Sequence, residues 1–295
     1  MTTSSPNPDA GRPPRIAIAG ATGRVGATLI NLLVDDPVSL IALTRKSANT
    51  QFSPRIAVAT VDFDQPPTLR EALRGVDKLF VAHGTSDRQV ENEIALIDAA
   101  VASGVRHIVK LSVMGPATPL NPFAWHMLIE AHLASQPVAS TVLRPTTFAD
   151  VLKRAGPQVA RGIWAGTAGQ GSVNFIDTRD VAEAARVALL EEVTAKSQRA
   201  YHLTGPRAWT MQEVAQELSH LLKRTVTYNS RSVTDYRAAL IADGTPAMVT
   251  ELYIGLEFLF HESALAESTL TVEQLTGHPP RSLSDWLIEN ISLFR

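Results

Sequence analysis

The sequence predicts an α/β fold, a doubly wound parallel sheet with helices on both faces and a smaller C-terminal lobe. Three observations predict it. From residue 15 to residue 143, short apolar runs of strand length alternate with stretches of helical periodicity, the order that gives right-handed βαβ crossovers and a parallel sheet. The first apolar run passes directly into a glycine series, Gly20, Gly23 and Gly26, and then into an amphipathic helix. Beyond Pro145 the rhythm breaks and helical stretches dominate, which marks a second lobe over the carboxyl ends of the strands, where a small-molecule crevice belongs.

The elements follow in order. Residues 1–14 are rich in Thr, Ser, Pro, Asn and Gly; they have little to bury and are expected to form a disordered tail. Residues 16–19 are the first strand, and Val25, Leu29, Leu32 and Leu33 carry the first helix. Strands are expected at 38–44, 56–61, 78–82, 107–111 and 139–143. Helices are expected at 68–74, closed by Gly75, at 90–103, closed by Gly104, and at 122–135. Residues 15–150 are thus read as the core and 151–295 as a mixed segment that completes the core and builds the smaller lobe. Within it, 151–171 has no clear period, a helix spans 178–191, and 201–203 is one more strand. Helices cover 210–222, 232–242 and 246–260, the first opening on a Thr210–Glu213 capping box. Residues 225–228 read as a short strand of a small second sheet, and 283–293 as the last helix.

Composition narrows the function. The 295 residues allow one large domain or two modest ones. A net charge of −2 without a basic run argues against nucleic acid. There are no cysteines, hence no disulfide, thiolate metal site or cysteine nucleophile. No apolar run approaches the roughly 20 residues of a membrane span, and there is no basic-then-apolar leader; a cytoplasmic location is expected. His107, His132, His202, His220 and His261 lack ligand spacing, and His126 with Glu130 lacks the second histidine of a zinc helix, so no metal site is expected. The oligomeric state is not decided; a homodimer is kept in view.

The glycine series is the strongest motif. Gly20 permits a sharp turn, Gly23 lets a pyrophosphate approach the backbone, and Gly26 lets the helix pack close to the strand. Thr22, Arg24 and Val25 complete the loop, whose helix presents free N–H groups to an anion. The expected ligand is a nicotinamide dinucleotide. At the end of the second strand, where an acidic residue would hold the ribose of NAD, the sequence has Thr44, Arg45 and Lys46. Two cations in that place favour the 2′-phosphate of NADP. Asp62 and Phe63 follow the third strand and are expected near the adenine, with a simple turn before Pro66 as the other reading. Ala82, His83 and Gly84 end the fourth strand on the path of the nicotinamide half.

The segments Gly20-Ala-Thr-Gly-Arg-Val-Gly26, Thr44-Arg45, Val61-Asp-Phe-Asp64, Val105-Arg-His-Ile-Val-Lys-Leu-Ser112 and Leu143-Arg-Pro145 resemble the NmrA-like branch of the atypical short-chain dehydrogenases/reductases. So do Phe175-Ile-Asp-Thr-Arg-Asp180, Tyr201-His-Leu-Thr-Gly-Pro206 and the tail through Pro280. The resemblance implies a Rossmann-type fold, NADP (NADPH) as cofactor, and Pro145 beside it. That branch holds quinone reductases, reductases of aromatic natural products and inactive NADP-binding regulators. Its relatives reduce carbonyls with Ser, Tyr and Lys, the last two in Tyr-x-x-x-Lys-x-x-x-Glu. Taking Glu130 as that Glu puts His126 at the Lys position and Pro122 at the Tyr position, while Ser112 stands where the Ser lies.

Ser112 and His126 are therefore the expected catalytic residues, one holding an acceptor oxygen and the other donating a proton. Acceptors needing little acid help fit this loss: quinones, activated alkenes or imines, besides carbonyls. Phe123, Trp125, Phe148, Trp164 and Phe175 could line an apolar pocket or simply pack the core. Two other functions stay open, a non-catalytic NADP-sensing regulator and a non-redox biosynthetic enzyme on the same fold.

Overall fold

The computed structural model describes residues 12–45 and 52–295. The elements in chain order are β1 (Arg15–Ala19), α1 (Arg24–Leu33), β2 (Ser39–Thr44), β3 (Ile56–Thr60), α2 (Pro66–Ala72), β4 (Lys78–Val81), α3 (Gln89–Ala102), β5 (His107–Leu111), α4 (Phe123–Ala134) and β6 (Ala139–Pro145). They continue with β7 (Thr147–Phe148), a 3-10 segment (Ala149–Ala155), α5 (Gly156–Ala160), β8 (Ile163–Gly166), β9 (Ser172–Ile176), α6 (Thr178–Leu190), β10 (Gln198–Leu203), β11 (Ala208–Thr210) and α7 (Met211–Leu222). Last come β12 (Thr227–Ser230), α8 (Val233–Ala242), α9 (Ala247–His261), α10 (Thr271–Thr276) and α11 (Leu283–Glu289), with a closing 3-10 turn at Ile291–Phe294.

Seven parallel strands form the main sheet in the order β10-β6-β5-β4-β1-β2-β3. Strand order reverses between β1 and β4, and the carboxyl ends there are where a doubly wound sheet opens its crevice. Side chains alternate between two cores. Ile16, Ile18, Phe80 and Val109 face α1 and α6; Ala17, Ile41, Leu79 and Ile108 face α2, α3 and α4. Burial on both faces explains why these strands read as unbroken apolar runs.

The expected core is completed by the second half of the chain. The strand expected at 201–203 is longer, β10, and pairs with β6 at the sheet edge, while α6 packs beside α1 through Ala182, Ala185 and Ala188. The small second sheet is β12 paired in parallel with β8. The helix expected at 283–293 stops at Glu289 and tightens into the 3-10 turn. The lobe has its own core around Trp164, Phe175, Trp209, Phe260 and Trp286.

The expected tail falls for residues 1–11 outside the described residues. Its end is tied down: Arg12 Nη1 donates to Asp77 Oδ2 at 2.8 Å, and the N–H of Ser39 to the carbonyl of Pro14 at 2.9 Å. The second bond extends the β1–β2 pairing backwards, the first holds Arg12 beside the start of β4, and together they override the polar composition.

Candidate active site

The turn after β1 is built by its glycines. Gly20 has φ +77°, and a Cβ there would lie 2.5 Å from the carbonyl oxygen of Ala82 at the end of β4. The N–H of Gly23 donates back to Gly20 at 2.8 Å. Gly23 then caps α1 without a side-chain partner for the first-turn N–H groups, which leaves that end open to an anion. Val25 and Gly26, also expected at the cofactor, are buried at the start of α1.

Two cavities meet this loop. The first, about 220 Å³, is lined by Gly20, Thr22, Gly23, Thr44, Arg45, Phe63, Ala82, His83, Gly84, Asn92 and Glu93. The structure thus brings together eight residues expected at the cofactor: Gly20, Thr22, Gly23, Arg45, Phe63, Ala82, His83 and Gly84. The His83 ring stands edge-on to Phe63 at 5.7 Å, and its Nε2 lies 3.1 Å from Asn92 Nδ2. A Cβ on Gly84 would meet nothing within 4 Å, so only a bound molecule could require glycine there. Lys46 lies outside the described residues.

Of its two readings, Asp62 makes the contacts of the turn. Its Oδ1 accepts the N–H of Asp64 at 2.9 Å and its Oδ2 the amide of Gln65 at 3.0 Å. It is the turn residue ahead of α2, and it is Phe63 that lines the cavity.

The second cavity, about 530 Å³, opens on the other side of the loop. Arg24 and Pro145 line it, so these two expected cofactor residues face a different space from the other eight. Its walls are mainly apolar: Val113, Met114, Phe123, Phe148, Met248, Leu252 and Leu256, with Thr146, Thr147 and a charged group of Asp150, Lys153 and Arg154. Asp150 is buried and holds Lys153 Nζ at 2.7 Å and Arg24 Nε at 4.0 Å. Phe123 and Phe148 are wall residues as expected; Trp164 and Phe175 belong to the core of the lobe. The contribution of α9 is missing from the sequence reading. Met248, Leu252 and Leu256 recur every four residues, a pattern that a core-facing helix shares.

The expected catalytic pair is not assembled at this cleft. Ser112 is buried, and its hydroxyl donates to Glu130 Oε1, which also accepts from Arg144 Nε at 3.2 Å. It ties the end of β5 to α4. His126 lies on α4 with Nδ1 3.2 Å from Lys110 Nζ and Nε2 3.4 Å from Gln89 Nε2. Burial, with the Lys110 charge added, holds the His126 imidazole well below the usual histidine range, so it is neutral at pH 7 and holds no acidic proton there. It borders a recess with Glu130 and Arg144, across Val113 and Phe123 from the cleft. Lys110 pairs with Glu93 at 2.9 Å in full burial. Sequence could not foresee this pair, because Lys110 reads as part of a strand and Glu93 as part of a helix face.

Comparison with known proteins now decides the family. The model of the NAD(P)H-binding family matches residues 20–192. The chain belongs to that family. It is 30% identical to an NAD(P)H azoreductase of Xenophilus azovorans, over 95% of this chain and 99% of that protein. The solved NADPH-dependent quinone oxidoreductase of Escherichia coli, complexed with NADPH, superposes with a TM-score of 0.87 at 28% identity, over 94% of this chain and 99% of that one. The transcriptional regulator NmrA in complex with NADP shares the fold, with a TM-score of 0.71 at 16% identity. The start of α1 at Gly23, which no side chain caps, fits the phosphates of the family's coenzyme. Among the described residues of this family member, no helix is long and apolar enough to cross a membrane.

Proposed function

We propose that this NAD(P)H-dependent oxidoreductase uses NADPH and reduces a small, largely apolar acceptor: a quinone, an activated alkene, an imine or a carbonyl. One observation carries the reading. The glycine loop lies between two cavities and lines both, through Gly20, Thr22 and Gly23 on the Arg45 side and through Arg24 on the apolar side. A dinucleotide held by its phosphates on that loop has an end for each cavity.

NADPH, when bound, supplies the hydride. The chain binds and orients. The loop and the open end of α1 hold phosphate, and Arg45 offers a forked guanidinium to the 2′-phosphate. Phe63 offers a ring, and Val113, Phe123, Phe148, Leu252 and Leu256 keep water from the acceptor. Since neither Ser112 nor His126 lines the cleft, the reading favours acceptors that take hydride before a proton arrives from solvent. A concave, mainly apolar cleft of about 530 Å³ beside the loop also favours an enzyme over a sensor.

A small molecule as partner, with neither nucleic acid nor membrane, and a cytoplasmic location belong to the same reading, supported by the net charge of −2; a homodimer is for sedimentation to test. The experiment is loss of reduced-nicotinamide absorbance against a panel of quinones and activated alkenes. Oxidation of NADPH by at least one of them is expected. Tight NADPH binding with no oxidation across the panel contradicts the proposal.

A further inference from the structure

Arg154 stands on the partition between the apolar cleft and an adjoining cavity of about 230 Å³, lining both. Its guanidinium is held on two sides. Nη2 donates to Glu257 Oε1 at 2.6 Å, and the group lies over the ring of Tyr253 at 4.4 Å. Glu257 is itself engaged, since its Oε2 accepts the N–H of Thr167 at 2.9 Å. The remaining arm, Nη1, is buried and has no hydrogen-bond partner among the described residues. A buried guanidinium N–H left unmet is uncommon in folded proteins and asks for an acceptor. The neighbouring cation Lys153 differs, because Asp150 already holds it at 2.7 Å.

We infer that Arg154 is the specificity residue of the cleft and selects acceptors whose apolar body ends in an anionic oxygen, as in a carboxylate or sulfonate. The inference rests on reading the apolar cleft as the acceptor site. Tyr253 and Glu257 fix the plane of the guanidinium in advance, so little ordering remains when an oxygen arrives. Met248, Leu252 and Leu256 on the same wall take the body of the ligand. A neutral acceptor gains the apolar contacts alone.

The test uses two probes that cannot be reduced under the assay, 2-naphthoate and its methyl ester, titrated calorimetrically into NADP-loaded protein. The wild type should bind the acid about tenfold more tightly than the ester, the scale of a charge-assisted hydrogen bond. Arg154→Met should bring the two within about twofold. Because that change strands a buried Glu257, the double variant Arg154→Met/Glu257→Gln is measured alongside and should show the same loss. Equal binding of acid and ester by the wild type, a preference that survives both variants, or binding of neither probe would each overturn the inference. The reading of the reaction is separable from it. A preference that disappears with Arg154 while no quinone oxidises NADPH keeps the subsite and removes the redox function; quinone turnover without the preference does the reverse.

Discussion

A Cβ on Gly26 would lie 2.1 Å from the carbonyl oxygen of Gly20 and 2.8 Å from its carbonyl carbon. The start of α1 and the end of β1 are therefore as close as backbone allows, and this closeness sets the loop on which the phosphates rest. Gly26→Ala should push the helix outward, cost about 1–3 kcal/mol by overpacking, and weaken NADPH binding by more than about tenfold. Denaturant unfolding and calorimetry check the two parts. Unchanged stability and affinity would mean that the contact relaxes freely.

Arg45 directly follows β2, is exposed, and lines the cavity beside the loop. Arg45→Ala should weaken NADPH by about tenfold or more, as expected for loss of a guanidinium–phosphate pair, and leave NADH within about twofold. An equal loss for both coenzymes removes the 2′-phosphate from its role.

Ser112 distinguishes a catalytic hydroxyl from a structural one. Its bond to Glu130 leads us to expect that Ser112→Ala lowers stability by about 1 kcal/mol and changes kcat by less than about twofold. A hundredfold fall in kcat with an intact fold would show that the hydroxyl reaches the acceptor after all.

Acid should destabilise the fold partly through His107. The side chain is fully buried, with Nε2 2.9 Å from Thr141 Oγ1. Burial first, then the charges of Lys78 and Arg199, lower its pKa to about 4 from an ordinary 6.5. Between those values the unfolded chain takes up a proton that the folded chain refuses, so stability falls as pH drops through this window, by up to about 3 kcal/mol. Melting temperatures at pH 7 and pH 4.5 should converge in His107→Gln relative to wild type. Parallel pH profiles for the two proteins would assign the acid sensitivity to other groups.

The order of strands and helices was legible because each fully buried strand carries a local apolar run and each helix a repeating face. The glycine loop was legible for the same local reason: Gly20, Gly23 and Gly26 act within seven residues. What escaped depends on contacts far apart in sequence. Asp62 looks like a ligand group until Asp64 and Gln65 are seen to occupy it. His126 looks like a titrating surface residue until Lys110 from β5 is found against it. The α9 wall and the partition at Arg154 arise only when residues about a hundred positions apart meet, as Arg154 and Glu257 do.

The most direct measurement follows the hydride itself. NADPH deuterated on one or the other face of the nicotinamide C4 is offered with an acceptor that gains hydrogen on carbon, such as an activated alkene, and the product is weighed by mass spectrometry. The account predicts that one labelled form delivers its deuterium to the product and the other retains it, as required if the chain holds coenzyme and acceptor in one fixed arrangement across the glycine loop. Product without label from either form, or label from both equally, would contradict it.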